Sequence, residues 1–445
     1  MPAAAGPDMM VVGAGPAGAA VALGLARLGY RVVVAGVPRR FAACEGVSER
    51  VLKGLAGAGL AAALADLAPP SARAVNWNGE TRAANTERLL AREAFDRALW
   101  RELGAAGIAR RPARVDRIEP LDEGGVRVHC GTTALHARLV VDARGRGAAR
   151  GAARERGPET VSLLQRWRGP AGGAAASCVT SFADGWAWLA RTADGTRYTQ
   201  LTLGAATPGL PKRSGLGAWL RTRLEALPEA RAWVAGCVLD GAAAARSSTA
   251  ILQSPLFARG VLRVGDAAMA VDPLSGNGIF QALSTALVAP AVINTLLVDG
   301  ANAPLALGFY EARVRHLFER FARIGRDFYR SETRWAEAPF WRQRAAWPDD
   351  EPAHDTVAPR LLGTACRAVV DHGLIREREV LLTSDQPLGV WRVADVELAP
   401  LLAGLPGEAP AREAALAARI DGATRGNAVR AQALRAWLRR SGFFL

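Results

Sequence analysis

Apolar positions along the first third of the chain switch between two periods. Met9 to Val12 is a short apolar run, followed by a glycine turn and an alanine-rich stretch, Ala17 to Leu28, with helical character. Gly29 closes that stretch, and Tyr30 to Ala35 is a β-branched run. Strand, helix and strand in this order predict a β-α-β unit. A helical stretch follows from about Ser48 to Leu67 and stops at Pro69-Pro70. Residues 72–84 read as extended around an Asn78-Gly79 turn, and Leu89 to Leu103 as an amphipathic helix. Residues 113–142 read as a three-stranded meander: Ala113–Pro120, Gly125–Cys130 and Leu135–Asp142.

From about residue 160 to 204 the pattern is β again. Trp186 to Thr192 and Thr196 to Leu203 flank Ala193-Asp194-Gly195, a short hairpin signal. A helix near 215–235 leads to a strand at Gly260 to Val264, then a glycine loop and long helices to about residue 330. The remainder reads as mostly helical. Phe280 to Val298 carries no charge and is long enough to span a bilayer. It also contains Gln281, Ser284, Thr285, Pro290, Asn294 and Thr295, which makes a buried helix the better reading.

Length and composition narrow the class. At roughly 150 residues per domain, 445 residues imply about three structural units. A chain half hydrophobic and 22% charged is globular rather than disordered. Five scattered cysteines (Cys44, Cys130, Cys178, Cys237 and Cys366) lack CxxC spacing, and the five histidines form no HxxxH pair. Neither a metal site nor a disulfide framework is expected. The N-terminus lacks a basic leader before its glycine motif, so a cytoplasmic protein without a membrane span is expected.

Net charge is +14 and the sequence pI about 10.8. Such a balance invites nucleic acid, an anionic membrane or an acidic protein. Only Lys53 and Lys212 among the 56 basic residues are lysine, which is the mark of a biased composition. Residues 331–445 hold 15 acidic and 15 basic residues, so the whole excess lies in residues 1–330. One concentration is Arg138, Arg144, Arg146, Arg150, Arg154 and Arg156. No RRM-like, zinc or helix-turn-helix signature accompanies the charge, and a nucleic-acid partner is not expected.

Gly13-Ala14-Gly15-Pro16-Ala17-Gly18 sits between a strand and a helix, the context that makes GxGxxG informative. Gly13 allows the tight turn, Gly15 lets a pyrophosphate approach the backbone, and Gly18 lets helix and strand pack closely. The helix start then offers unpaired N–H groups to phosphates. Pro16 falls where no N–H need be donated. The acidic residue that normally ends the second strand is missing: Ala35 and Gly36 stand there, and no carboxylate occurs between Asp8 and Glu45.

A second motif, Gly265-Asp266-Ala267-Ala268 followed by Asp272-Pro273-Leu274-Ser275-Gly276-Asn277-Gly278, carries a resemblance. It is similar to the FAD-dependent fold of p-hydroxybenzoate hydroxylase, the flavin halogenases and the geranylgeranyl reductases. The resemblance implies FAD as cofactor, with Gly265 and Asp266 at the ribityl chain, Pro273 beside the isoalloxazine, and Gly276, Asn277 and Gly278 at the flavin ring. A helix start there would favour the anionic reduced flavin. Arg92, in a helix that resembles one reaching the pyrophosphate, and Arg40 are further cofactor candidates; for Arg92 a surface salt bridge is the alternative. Val140-Val141-Asp142-Ala143-Arg144-Gly145-Arg146 resembles the family's second glycine signature, with Ala-Arg-Gly where hydroxylases usually have Ala-Asp-Gly. That departure puts NADPH use in doubt.

The resemblance implies an α/β fold: a Rossmann-type FAD-binding domain, an antiparallel β-sheet substrate domain and a C-terminal helical region. The expected boundaries are 1–160 and 255–330 for the FAD domain, with 71–88 in the substrate sheet, 161–254 for the substrate domain, and 331–445 for the helical region. It also implies monooxygenation of an aromatic ring through a flavin C4a-hydroperoxide, with dioxygen and electrons from NAD(P)H or a separate flavin reductase. Trp186 and Trp188, in Asp184-Gly185-Trp186-Ala187-Trp188, are candidates for a substrate wall or simply for one face of a strand. Glu45, in Arg39 to Ser48, is the candidate polar group near the flavin.

Neither lysine follows the halogenase pattern, which makes halogenation a minor alternative beside a flavoprotein reductase of an isoprenoid-type double bond or a hydroxylase of a free small aromatic. The run from Ala43 to Leu55, the loop at Asp272 and the Trp-containing C-terminal extension more narrowly resemble the maturation monooxygenases of quinohaemoprotein amine dehydrogenase. These are associated with hydroxylating a tryptophan of a small protein subunit on the way to cysteine tryptophylquinone. That resemblance implies an acidic protein partner and gives the basic surface a purpose.

Overall fold

The computed structural model describes residues 7–37, 39, 42–148, 151, 153–276, 278–353 and 359–443. The chain forms two compact units, Met1–Pro290 with Val314–Glu351, and Ala291–Arg313 with Pro352–Leu445. The second unit thus takes in part of the helical segment that the sequence assigns to the FAD region. The first unit holds the FAD portion and the substrate sheet together.

In the first unit a six-stranded sheet runs Phe257–Ala258, Val261–Arg263, Leu139–Asp142, Met9–Val12, Val32–Ala35 and Ala109–Arg111. All neighbours are parallel except the first pair. Met9 to Val12 are almost completely buried, as a central parallel strand covered on both faces requires. The helix Pro16–Arg27 connects the first two strands and buries nine of its twelve residues. Its small side chains permit this. At Gly24, a Cβ would lie 2.5 Å from Pro290 Cγ.

The expected meander is real but ends earlier. Arg117–Pro120, Val126–Cys130 and Thr133–Ala137 form the antiparallel sheet. Leu139–Asp142 leaves it to join the parallel sheet, because every residue of this apolar run is buried there. The expected helix at Leu89 starts instead at Arg92, after a strand Arg88–Ala91 paired with Cys44–Val47.

The larger sheet orders Val238–Leu239, Thr160–Arg168, Thr196–Gly204, Gly185–Arg191, Ala176–Phe182, Ala72–Trp77 and Glu80–Ala83, with Ala244–Ser247 also paired to Thr160–Arg168. It is antiparallel except where Ala176–Phe182 meets Ala72–Trp77. One face packs Leu163, Trp167, Leu189, Leu201 and Leu220. On the other, Val179 and Trp186 meet Tyr329, Phe340 and Trp341. Glu332, just past the helix Ala303–Arg330, ties that region to the sheet. Its fully buried carboxylate accepts from Asn78 N, Ser181 Oγ and Arg334. Burial alone would raise its pKa; the donors outweigh that and hold it below the usual carboxylate range.

The second unit contains, besides helices, an antiparallel sheet that the helical reading missed: Leu361–Asp371, Leu374–Thr383 and Gln386–Val390. The charged run Arg376 to Glu379 resembles a solvated helix face, whereas here it alternates along a strand. A turn at His372-Gly373, both with positive φ (45° and 76°), joins the first two strands. Thr295 Oγ1 accepts from Ile375 N at 2.8 Å and Asn294 donates to Gly373 O at 2.8 Å, which fixes the hairpin to a helix of the same unit. Helices Leu398–Leu402, Ala409–Thr424 and Ala428–Arg440 close this unit's core around Leu381, Leu416, Ile420 and Leu434.

The apolar stretch Gly278–Val298 passes a membrane-span test by length and composition. Over half of its apolar window is buried inside the protein, and it is two helices, Gly278–Ala286 and Ala289–Val298. It is core.

Candidate active site

The glycines of the two motifs divide into two kinds. A Cβ at Gly13 (φ 109°) would lie 2.3 Å from Ala143 O, and one at Gly18 only 1.9 Å from Gly13 O. At Gly265 (φ 59°) it would lie 2.9 Å from Ala17 Cβ. These three bring backbones together. Gly15, Gly276 and Gly278 differ: nothing lies within 4 Å of where a Cβ would stand. Open space before a helix start is what a ligand approaching the backbone needs.

Gly15 caps the helix Pro16–Arg27 in extended conformation with no side-chain cap. The first-turn N–H groups are therefore available to a phosphate, and Pro16 has none to waste. Gly265 N donates to Thr285 Oγ1 at 2.7 Å, which pins the Gly265–Ala267 turn to the helix Gly278–Ala286, while Ala17 of the first helix and Gly145 of the second glycine signature lie close against it. Asp266 lies deep in the fold, yet 41% of its side chain is accessible, the signature of a group on a cavity wall. Arg146, missed in the sequence reading although it lies in the second signature, places Nε 3.9 Å from Asp266 and donates through Nη1 to Thr249 O at 2.6 Å. An uncapped helix start, a cavity-wall carboxylate and open glycines fit FAD.

Around Arg92 four charges alternate. Arg92 is buried, bonds Asp96 at 2.9 Å and pairs with Glu45. Asp96 in turn accepts from Arg39 Nε at 3.3 Å. The candidate catalytic Glu45 therefore has Oε1 engaged by Arg92, and the surface alternative for Arg92 is excluded by its burial. Burial, with Arg92 nearby, lowers the pKa of Arg39. The second strand ends at Ala35 without a carboxylate. Arg40 and Asn277 lie outside the described residues.

A cleft of about 630 Å³ passes Gly15, Cys44, Leu89, Phe95, Trp100 and Thr192. Trp186 does not line this cleft: it is 2% exposed and its Nε1 donates to Tyr329 Oη at 3.0 Å. This burial fits the strand-face alternative for that residue, because alternate aromatics on one strand meet different neighbours. Trp188 is only half-buried, against Cys44, Leu89 and Tyr198 on one side and the Trp341 cluster on the other. Arg144 folds back onto Asp142, with Nη2 at 2.7 Å and Nε at 2.9 Å. Among the described residues no group of three His, Cys, Asp or Glu could hold a metal.

Fold and site define an FAD-dependent monooxygenase of the hydroxylase and flavin halogenase fold. The family described as lycopene cyclase protein matches residues 8–171. A curated digeranylgeranylglycerophospholipid reductase of Thermoplasma volcanium is 33% identical over 73 residues, 16% of this chain; the match spans only 18% of that reductase. The flavin-dependent halogenase CmlS is similar in fold across 99% of this chain and 96% of its own, at 17% identity and a TM-score of 0.74. Another similar structure is that of the peptidyl tryptophan dihydroxylase QhpG, essential for tryptophylquinone cofactor biogenesis. It is 46% identical over 99% of this chain and 100% of its own, with a TM-score of 0.80. The chain belongs to the QhpG family.

Proposed function

We propose that this enzyme hydroxylates a tryptophan side chain of a protein substrate during the making of a tryptophylquinone cofactor. The observation that carries the reading is the 46% identity to QhpG over the full length of both chains. Bound FAD, once reduced, supplies the activation of dioxygen. The chain's residues do the rest. The glycine turn and Arg92 take the pyrophosphate, Asp266 takes the ribityl hydroxyls, and the loop from Asp272 seats the ring. Trp188, half-buried beside the cleft, offers an aromatic wall for the substrate. Glu45 keeps Arg92 aimed and is a positioning rather than a proton-transferring group.

The partner is a small acidic protein, and electrons come from NAD(P)H or a separate flavin reductase. The net charge of +14 favours such a partner. Arg144, Arg146 and Arg156 contribute little to that attraction, because each pairs with a carboxylate of the same chain. A soluble, cytoplasmic location accords with the burial of the apolar stretch. The reductase alternative rests on a short match to one enzyme. Lysine-dependent halogenation is disfavoured, since Lys53 and Lys212 are both exposed.

The test is turnover of the reduced holoenzyme with a tryptophan-bearing small protein and, in parallel, free indoles and phenols. Oxygen should enter the protein-borne ring. Oxygenation of the free aromatics alone contradicts the proposal.

A further inference from the structure

Tyr329, one residue before the end of the helix Ala303–Arg330, lies between two groups that are far apart in sequence. Trp186 Nε1 donates to Tyr329 Oη at 3.0 Å, and Tyr329 Oη lies 3.0 Å from Asp272 Oδ1. The same Oδ1 accepts from Leu274 N at 2.9 Å. An indole N–H only donates, so the phenol oxygen accepts from it and sends its single proton to Asp272. Every bond in the chain points toward the loop. No proton can pass outward, because the indole nitrogen has no lone pair to take one. The arrangement is a brace, not a relay.

Its two ends matter. Trp186 belongs to the strand Gly185–Arg191 in the middle of the substrate sheet. Asp272 caps the turn Pro273–Ser275, which passes through Gly276 (φ 61°) to the helix beginning at Gly278. Trp186 and Tyr329 are each 2% exposed, so water cannot replace either bond. Phe340 and Trp341 hold the phenol ring edge-on at 5.8 and 5.7 Å. Arg344, from the helix Pro339–Ala345, and Arg146, from the second glycine signature, supply positive charge toward Asp272.

We propose that Tyr329 and Asp272 are positioning residues that lock the flavin-ring loop to the substrate sheet through Trp186. The proposal rests on reading the Asp272 loop as the flavin seat. Oxygen transfer requires the ring under attack to be held at its reacting distance from the cofactor, where a misplacement of about 1 Å costs on the order of a hundredfold. When that register slips, dioxygen takes two electrons from the reduced flavin together with two protons. It then leaves as hydrogen peroxide, instead of giving one atom to the substrate and one to water. Losing the brace therefore costs coupling before it costs cofactor binding.

The experiment compares holoenzyme of Tyr329→Phe, Trp186→Phe and Trp335→Phe with the unaltered protein. Three quantities are read: FAD per chain, the visible flavin spectrum, and peroxide released per reductant consumed. Tyr329→Phe should retain FAD, shift the flavin bands and raise the peroxide fraction several-fold. Trp186→Phe should act in the same direction more weakly, and Trp335→Phe, outside the brace, should change neither. An unaltered spectrum and peroxide fraction in Tyr329→Phe overturns the proposal. If that variant does not fold, unaltered readings in Trp186→Phe overturn it. The spectrum is read without turnover, so failure to oxygenate a protein tryptophan is seen separately, in the unaltered enzyme.

Discussion

The cofactor cradle and the aromatic block behind the substrate sheet are built on opposite principles. The cradle uses almost no side chains: glycines either let backbones touch, as at Gly13 and Gly18, or leave room, as at Gly15 and Gly278. The block is all side chain, with Trp77, Trp335, Tyr329 and Phe340 packed around Trp341 at 5.3 to 6.0 Å between ring centroids. The cradle's chemistry lies within short segments. The block is assembled from positions far apart in the chain, such as Trp77 and Trp341. Recognition of a diphosphate needs exposed backbone donors, whereas packing the back of a sheet needs volume and specific bonds.

Substitutions can sharpen this contrast. Trp341→Ala should have the largest effect on stability, about 3–5 kcal/mol by chemical denaturation. The residue is fully buried, and its Nε1 donates to Phe182 O and Ala183 O, both at 3.1 Å. Glu332→Gln should cost about 2 kcal/mol at neutral pH, since it removes the charge that Arg334, Ser181 and Asn78 N converge upon. The sign with pH is fixed by the depressed folded pKa of Glu332. Its contribution is present above the unfolded carboxylate value, about 4.3, and is lost as pH falls through the lower folded value. The gap between variant and unaltered protein should narrow in acid, and a widening gap would contradict the assignment.

On the cradle side, Gly15→Ala should leave the apoprotein's stability within about 0.5 kcal/mol, because its Cβ meets nothing. It should nevertheless weaken FAD roughly tenfold, about 1.4 kcal/mol by titration of the apoprotein. Gly18→Ala reverses the pattern by clashing with Gly13 O before any ligand arrives. Asp266→Ala should strip or weaken FAD while the fold persists; unchanged flavin content would remove the ribityl assignment. Equal behaviour of Gly15→Ala and Gly18→Ala would abolish the distinction between ligand-facing and packing glycines.

The same contrast explains what was legible in the sequence. Gly13 to Gly18 and Gly265 to Asp266 announce themselves because their spacing is dictated by a local turn and a helix start. The meander, the Asn78-Gly79 turn and the hairpin at Asp194-Gly195 were legible for the same reason. Asp272 stood out within the second motif, but its bond to Tyr329 gave no such signal, since a bond from strand to helix to loop leaves no spacing behind. Trp186 was visible as an aromatic but not as a donor, and only the position of Tyr329 decides between wall and brace. The C-terminal sheet was hidden by Arg376 to Glu379, whose charges suit a helix as well as an edge of alternating strand. The turn at His372-Gly373 was the available clue.

The central claim is that a flavin held in the glycine cradle delivers oxygen to a protein-borne tryptophan. Its most direct test is mass spectrometry of the small protein substrate after incubation with reduced holoenzyme under isotopically labelled dioxygen. The account predicts labelled oxygen on a tryptophan residue of that protein, absent when the enzyme is Asp266→Ala stripped of FAD. A substrate recovered without label, while the unaltered holoenzyme consumes oxygen in its presence, would contradict it.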